Sequence, residues 1–88
     1  MLKIRRIANA HVVFALSGRM TQASVAELEA LISSEAKGRP VVLDLKDVTL
    51  VGRDAVNFLE RSERDGITLE NCPAYVREWI TRQRRERT

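Results

Sequence analysis

The segment Val41–Leu45, which reads VVLDL, constrains the fold more than any other part of the sequence. It is rich in β-branched residues, and its one polar residue is Asp44. A run of this kind is too short for a helix and apolar enough to be buried on both faces, as strands of parallel sheets are. We therefore expect Val41–Leu45 to be the central strand of a sheet.

The residues at the amino end predict a β-hairpin. Leu2–Arg5 alternates apolar and polar side chains, which is typical of a half-exposed strand. Residues 8–10 are a plausible turn into the apolar run Val12–Leu16, which reads as a buried strand. Ser17-Gly18 breaks the strand pattern. The hairpin is therefore expected to end there.

Two helical patterns and a further strand pattern flank the central strand. Ser24 and Glu27 fit a capping box at the start of the first helix, and Gly38-Arg39-Pro40 supplies its stop. After a loop predicted for residues 46–51, a second helix is closed by Asp65-Gly66. The apolar or small positions that indicate these two helices are Val25, Leu28, Leu31, Ile32, Ala55, Phe58, Leu59 and Ser62.

The remaining residues complete the pattern. Ile67–Leu69 is a third short parallel strand, and Asn71-Cys72-Pro73 opens a last helix with proline in its first turn. Trp79 is expected to anchor this helix to the sheet, although with Tyr75 it could instead form an exposed contact for a partner. The element order is therefore ββαβαβα.

This order predicts an α/β fold with a mixed four-stranded sheet, an N-terminal antiparallel hairpin and helices mainly on one face, because parallel crossovers are right-handed. The chain of 88 residues has room for one domain, which we assign to residues 1–82. Residues 73–88 contain five arginines and two glutamates, which equals the net charge of +3 of the whole chain. We expect residues 83–88 to be a loose basic tail.

The composition excludes several classes of function. Cys72 is the one cysteine and His11 the one histidine, so a disulfide or a thiolate metal cluster cannot form within the chain. The carboxylates of Asp44 and Asp47 could bind a cation, but one pair without further ligands is a weak site. Their contact with solvent in a loop is the better explanation. We expect no enzyme activity, no cofactor and no metal site. No apolar run approaches the roughly 20 residues of a membrane span, and residues 1–6 are too charged for a signal peptide, so a cytoplasmic protein is expected.

Three segments in order carry a resemblance to a known family. They are the LSGRM run at 16–20 with the helix that follows it, VVLDLKDVTLVGRDAVNFL at 41–59, and GITLENCPAYVREWI at 66–80. Together they resemble the STAS family, the fold of the anti-sigma factor antagonists, over nearly the full chain. In that family an Asp-Ser pair opens the second helix, and Gly52 and Arg53 occupy its positions here.

The resemblance implies a protein that binds another protein, such as an anti-sigma factor with kinase activity, through the loop and helix that begin at the phosphorylation position. Arg53 cannot be phosphorylated as a serine is, so the usual phosphoregulation is not expected. A helix start remains a plausible place for recognition, because its free amides and dipole are positive. The expected partner-binding residues are Asp47, Thr49, Gly52, Arg53, Asp54 and Asn57.

Two other functions and one further partner stay open at this point. Arg77 and the arginines of 82–87 could bind nucleic acid or an acidic partner, although nucleic acid is the less favoured partner. Cys72 lies just before a helix, where a thiol can become reactive, but a small packing residue is the simpler interpretation. Since a domain of this length is marginally stable alone, a homodimer is also considered.

Overall fold

The structure, a computed structural model, describes residues 2–8, 10–35 and 38–87. Within these ranges the chain forms the predicted order ββαβαβα. The strands are β1 (Leu2–Ala8), β2 (Val12–Met20), β3 (Val41–Val51) and β4 (Thr68–Glu70), and the helices are α1 (Gln22–Glu35), α2 (Arg53–Arg64) and α3 (Ala74–Arg87). The predicted α/β fold is confirmed.

The strands form one sheet in the order β1-β2-β3-β4. The pair β1 and β2 is an antiparallel hairpin, whereas β3 runs parallel to β2 and β4 runs parallel to β3. Both crossovers step in the same direction across the sheet, so right-handed connections place α1 and α2 on one face. The mixed sheet and the placement of the helices are as predicted.

The core lies between this face of the sheet and the helices. Alternate residues of β2 and β3 point into it, since side chains of a strand alternate between the two faces. The helices add apolar side chains to the same cluster, including the fully buried Leu28, Val56 and Ile80. The strand residues of the cluster are Val12, Phe14, Leu16, Met20, Val41, Leu43, Leu45, Val48 and Val51.

Two strands are longer than the sequence pattern predicted. Residues 17–18 do not end β2, and residues 46–51 are not a loop, because β2 and β3 stay paired as far as Met20 and Val51. The pairing shifts register on both sides of Gly18, whose φ of 98° is open to glycine at little cost. The irregular sequence therefore marks bulges within the strands, not their ends.

The start of α1 also differs from the prediction. The helix begins at Gln22 and not at Ser24, because Thr21 is the residue that caps it. The Thr21 hydroxyl oxygen accepts a hydrogen bond from the Ser24 amide at 3.4 Å, and the Thr21 carbonyl accepts one from the Val25 amide at 3.0 Å. Ser24 thus lies in the first turn, and its own hydroxyl donates to the Arg19 carbonyl oxygen at 3.4 Å.

Helix α3 includes most of the segment expected to be a basic tail. It begins at Ala74, directly after Pro73, and it continues without a break through Arg87. Arg77 and Arg84 both bind Glu63 of α2. The predicted basic tail is therefore helical as far as the structure describes it.

Candidate functional site

The candidate site is the corner where β3 ends and α2 begins. The Gly52 amide donates a hydrogen bond to the Met20 carbonyl oxygen at 3.2 Å, which joins this corner to the end of β2. The Val56 amide donates to the Gly52 carbonyl oxygen at 3.0 Å, so α2 starts directly after Gly52. The carboxyl ends of both parallel strands and the start of α2 therefore meet here.

The amino end of α2 lacks a side-chain cap. Gly52 occupies the N-cap position in an extended conformation, with φ of −83° and ψ of 173°, and no side chain bonds the first amides. Asp54 is the acidic residue of the first turn, and its carboxylate opposes the positive end of the helix dipole. Gly52, Arg53 and Asp54 are all exposed. The corner presents free helix amides beside one cation and one anion.

The structure brings together four of the six residues predicted to bind a partner. Gly52, Arg53 and Asp54 are consecutive, and the half-buried Asn57 lies one turn beyond Arg53 on α2. Thr49 is an exposed residue of β3 at the second bulge.

Asp47 belongs to a different surface. It pairs in register with Ser17, whereas its neighbour Val48 points into the core. Since neighbouring side chains of a strand alternate between faces, Asp47 points to the sheet face that the helices do not cover. The structure therefore separates Asp47 from Arg53 and Asn57, and any partner that touches all of them must reach around the end of β3.

Sequence reasoning missed Leu50, which is 55% exposed. Leu50 pairs in register with Arg19 of β2 and lies near the corner, on the sheet face that the helices do not cover. An exposed leucine beside an arginine is a suitable contact for a protein partner. The signal is present in the sequence, because residues 48–51 read VTLV, which is typical of a strand, whereas the prediction of a loop at 46–51 hides it.

Asp44 has a structural explanation. One of its carboxylate oxygens accepts hydrogen bonds from the Lys46 amide at 3.0 Å and from the Asn71 side-chain amide at 3.1 Å. Asn71 has a φ of 53°, a left-handed conformation that asparagine tolerates better than most residues. Asp44 therefore ties the middle of β3 to the turn after β4.

The environment of Cys72 disfavours reactive thiol chemistry. Burial raises the pKa of the half-buried thiol, although the positive charge of Arg77 acts in the opposite direction. A raised pKa leaves less thiolate at neutral pH, and the thiolate is the nucleophile. Cys72 packs against the hydrophobic core, as the simpler interpretation of the sequence expected.

The grooves of the surface are shallow. One of about 250 Å³ lies between α1 and α2, where Ile32 and Phe58 form part of its floor. Arg61 of α2 and Glu29 of α1 also line it and form an ion pair at 3.3 Å. Among the described residues, no group of three or more His, Cys, Asp or Glu side chains is placed to hold a metal ion.

The aromatic residues of α3 separate into two environments. Trp79 is half-buried and packs against the core, which agrees with the expected anchor. Tyr75 is 48% exposed, so it does not share that packing. No helix in the described part of the chain is both long and apolar enough to cross a membrane.

Comparison with known proteins reveals a shared fold. No protein-family model matches the sequence, and no curated protein matches it significantly. The structure is similar to that of the anti-sigma factor antagonist SpoIIAA in its unphosphorylated form, with a TM-score of 0.69 at 16% identity over 92% of this chain and 82% of that one.

Two further solved structures support the same conclusion. An uncharacterized protein of the DUF3478 family from Shewanella loihica PV-4, described as having a SpoIIAA-like fold, gives a TM-score of 0.58 at 16% identity over 99% of this chain and 79% of that one. The protein Mglu gives 0.60 at 20% identity over 82% of this chain but 19% of its own. The chain therefore has a SpoIIAA-like, or STAS-like, α/β fold.

Proposed function

We propose that the protein is a non-enzymatic regulatory module of the cytoplasm that binds another protein at the β3–α2 corner. The partner would contact Gly52, Arg53, Asp54 and Asn57 on α2, with Thr49 and Leu50 at the end of β3. The observation that carries the proposal is the uncapped and exposed amino end of α2, within a fold similar to that of an anti-sigma factor antagonist.

The charges of the corner suit recognition without a phosphate switch. Arg53 stands where the STAS resemblance implies a phosphorylatable serine, and it brings a positive charge to the positive end of a helix dipole. An acidic group of a partner can therefore bind both the guanidinium and the free amides of the first turn. We propose that this recognition is constitutive, because arginine cannot accept a phosphate as serine does.

The alternative of nucleic-acid binding through α3 has weak support. Arg77 and Arg84 bind Glu63, and Arg82 forms an ion pair with Glu78 at 3.2 Å. Each of these contacts neutralises a charge that a phosphate backbone would need. A protein partner at the corner is therefore favoured over nucleic acid at α3.

The proposal is tested by capture of partners from the native cytoplasm. Wild-type protein and the variant Arg53→Ser/Asp54→Ala are immobilised, bound proteins are identified by mass spectrometry, and their affinities are measured with purified components. The matched control is Glu27→Ala/Arg61→Ser, which also removes one exposed acidic and one exposed basic side chain from helices but lies away from the corner. We expect a partner that binds wild type and control and loses about tenfold or more in affinity for the corner variant. Equal binding to all three proteins would contradict the proposal.

A further inference from the structure

The face of the sheet opposite the helices carries an ordered pattern of side chains. The register places Ile7, Val13, Val42 and Thr68 in one row across the four strands. The next row consists of Arg5, Ala15, Asp44 and Glu70. We call this surface the open face; it also includes Lys3, Ser17, Asp47, Arg19 and Leu50.

The assignment of these residues to the open face follows from their neighbours. Leu2 and Ile4 of β1 and Leu69 of β4 pack against the core beneath the helices. Strand side chains alternate, so the residues between them point away from the helices. Arg6 supports this assignment, because it lies on the helix side and forms an ion pair with Glu35 at the end of α1.

The open face is apolar in its middle and exposes large side chains. Ile7 is 40% exposed and Leu50 is 55% exposed, and these are two of the three large exposed hydrophobic residues in the described part of the chain. Ile7 continues the apolar row of Val13 and Val42 to the edge of the sheet, whereas Leu50 lies beside Arg19, further along the strands. An exposed isoleucine that extends an apolar row across a sheet face indicates a surface that a partner can cover.

The charges of the open face are separated by sign. Lys3 and Arg5 lie on β1, at one edge of the sheet, with Arg19 on β2, whereas Glu70 lies on β4 at the other edge. Asp44 and Asp47 lie on the adjacent β3, where the exposed Lys46 is the one cation between them. Lys3, Arg5, Asp47 and Glu70 form no ion pair or side-chain hydrogen bond with any other described residue. A basic edge and an acidic edge of one surface are complementary to each other.

This layout selects one arrangement of two copies. A two-fold axis across the strands would place β1 over β1 and oppose like charges, which is unfavourable. A two-fold axis along the strands places β1 of one copy over β4 of the other. Arg5 of each copy then faces Glu70 of the other copy, so the dimer contains two such pairs. The apolar row then stacks on itself with its order reversed, and Val13 lies over the partner copy's Val42.

We propose that the open face binds a second copy of this chain, in a face-to-face dimer whose two-fold axis runs along the strands. Gly52, Arg53, Asp54 and Asn57 of the β3–α2 corner lie at the rim of this dimer, which shares Leu50 with the surface proposed for the other partner but does not depend on that function. The face is small, since four strands at about 4.8 Å spacing span roughly 15 Å. We therefore expect a weak dimer with a dissociation constant on the order of micromolar.

A charge-swap cycle tests the arrangement. Sedimentation velocity from about 5 µM to 500 µM measures the dissociation constants of wild type, Arg5→Glu, Glu70→Arg and the double variant. Each single variant opposes like charges twice and is expected to weaken the dimer about tenfold or more. The double variant restores opposite charges with the net charge of the wild type, and it should recover the dimer. Glu27→Arg on α1 is the control, because it changes the net charge as Glu70→Arg does.

A second variant tests the apolar row without changing charge. Ile7→Ser removes an exposed side chain of an edge strand, so the fold should survive, and circular dichroism verifies this. The dimer is expected to weaken about tenfold or more. The proposal is overturned if the wild type stays monomeric up to about 500 µM, if the double variant does not recover the dimer, or if a dimer forms that none of these variants weakens.

Discussion

At its carboxyl end, helix α2 is held by ion pairs and a closed turn, whereas at its amino end it presents Arg53 and Asp54 to solvent. Glu63 binds Arg77 through two hydrogen bonds of 2.8 and 2.9 Å, and it also binds Arg84 at 2.8 Å. Gly52 at the other end provides no side-chain cap. One helix therefore combines an anchored end, which stabilises the fold, with an open end, which is available for recognition.

The anchored end is tied both to α3 and to the following turn. The buried Glu60 carboxylate lies 3.0 Å from an Arg64 guanidinium nitrogen and 3.9 Å from one of Arg84. After Asp65, the amides of Gly66 and Ile67 donate to the carbonyl oxygens of Glu63 and Ser62, which is the hydrogen-bond pattern of a Schellman turn. Substitutions at either end of α2 can therefore test this difference between the two ends.

The largest effect is expected from the loss of the Glu63 carboxylate. Glu63→Ala removes the shared partner of Arg77 and Arg84, and we expect the free energy of unfolding to fall by about 2 kcal/mol. Urea denaturation of wild type and variant measures the difference. The control is Glu78→Ala, whose exposed ion pair with Arg82 should contribute less than about 0.5 kcal/mol. Equal losses for the two variants would contradict a special role for Glu63.

The same carboxylate should make stability depend on pH. Hydrogen bonds from Arg77 lower the pKa of Glu63 to about 2, although burial acts in the opposite direction. Because the folded pKa lies below the ordinary value, this stabilisation is complete above about pH 4.5 and is lost as the pH falls towards 2. The fall between these values is expected to be about 2 kcal/mol smaller in Glu63→Gln than in wild type. Thermal unfolding between pH 2 and pH 6 measures it, and parallel profiles for the two proteins would argue against the interpretation.

One substitution at both ends of α2 sharpens the comparison. Gly66 has a φ of 96°, which serine adopts at a cost, so Gly66→Ser should destabilise the protein by about 1 kcal/mol. Gly52 has an ordinary φ, and a Cβ there would approach the Met20 carbonyl oxygen no closer than 3.8 Å. Gly52→Ser supplies the missing N-cap and should stabilise by a few tenths of a kcal/mol up to about 1. Thermal unfolding measures the stability of both variants. The account would be contradicted if Gly66→Ser and Gly52→Ser changed stability in the same direction.

The smallest effect on stability is expected at the open end. Arg53→Ser should change the free energy of unfolding by less than about 0.5 kcal/mol. Arg53 is exposed, and its side chain forms no ion pair or hydrogen bond with another described residue. Urea denaturation measures the change. A loss of more than about 1 kcal/mol would show that Arg53 stabilises the fold and is not simply available for a partner.

The fold could be predicted because its strongest signals are local. The VVLDL run, the apolar spacing of α2 and the Asp65-Gly66 stop indicated a central strand, a helix and its end, and the structure agrees with each. Strand extension after Leu45 and Ser17 could not be predicted, because bulges depend on pairing between distant residues. Thr21 was missed as a cap because Ser24 and Glu27 imitate the same signal.

The site was predicted less completely than the fold. The cluster of Gly52, Arg53 and Asp54 follows from their adjacency in the sequence, but the position of Asp47 on the other face depends on the register of β3 with β2. The pairing of Arg77 and Arg84 with Glu63 was also missed, since it joins residues of two helices. Contacts between elements are the information that sequence spacing alone does not contain.

The central claim is that the open end of α2 binds a partner while the anchored end does not. The most direct test is an NMR titration of isotope-labelled protein with the partner captured from the cytoplasm. The account predicts that the largest changes in amide shifts occur at 49–57, and that residues 60–66 of the anchored end and residues 77–87 of α3 change little. The largest changes at 77–87, with none at 49–57, would contradict it.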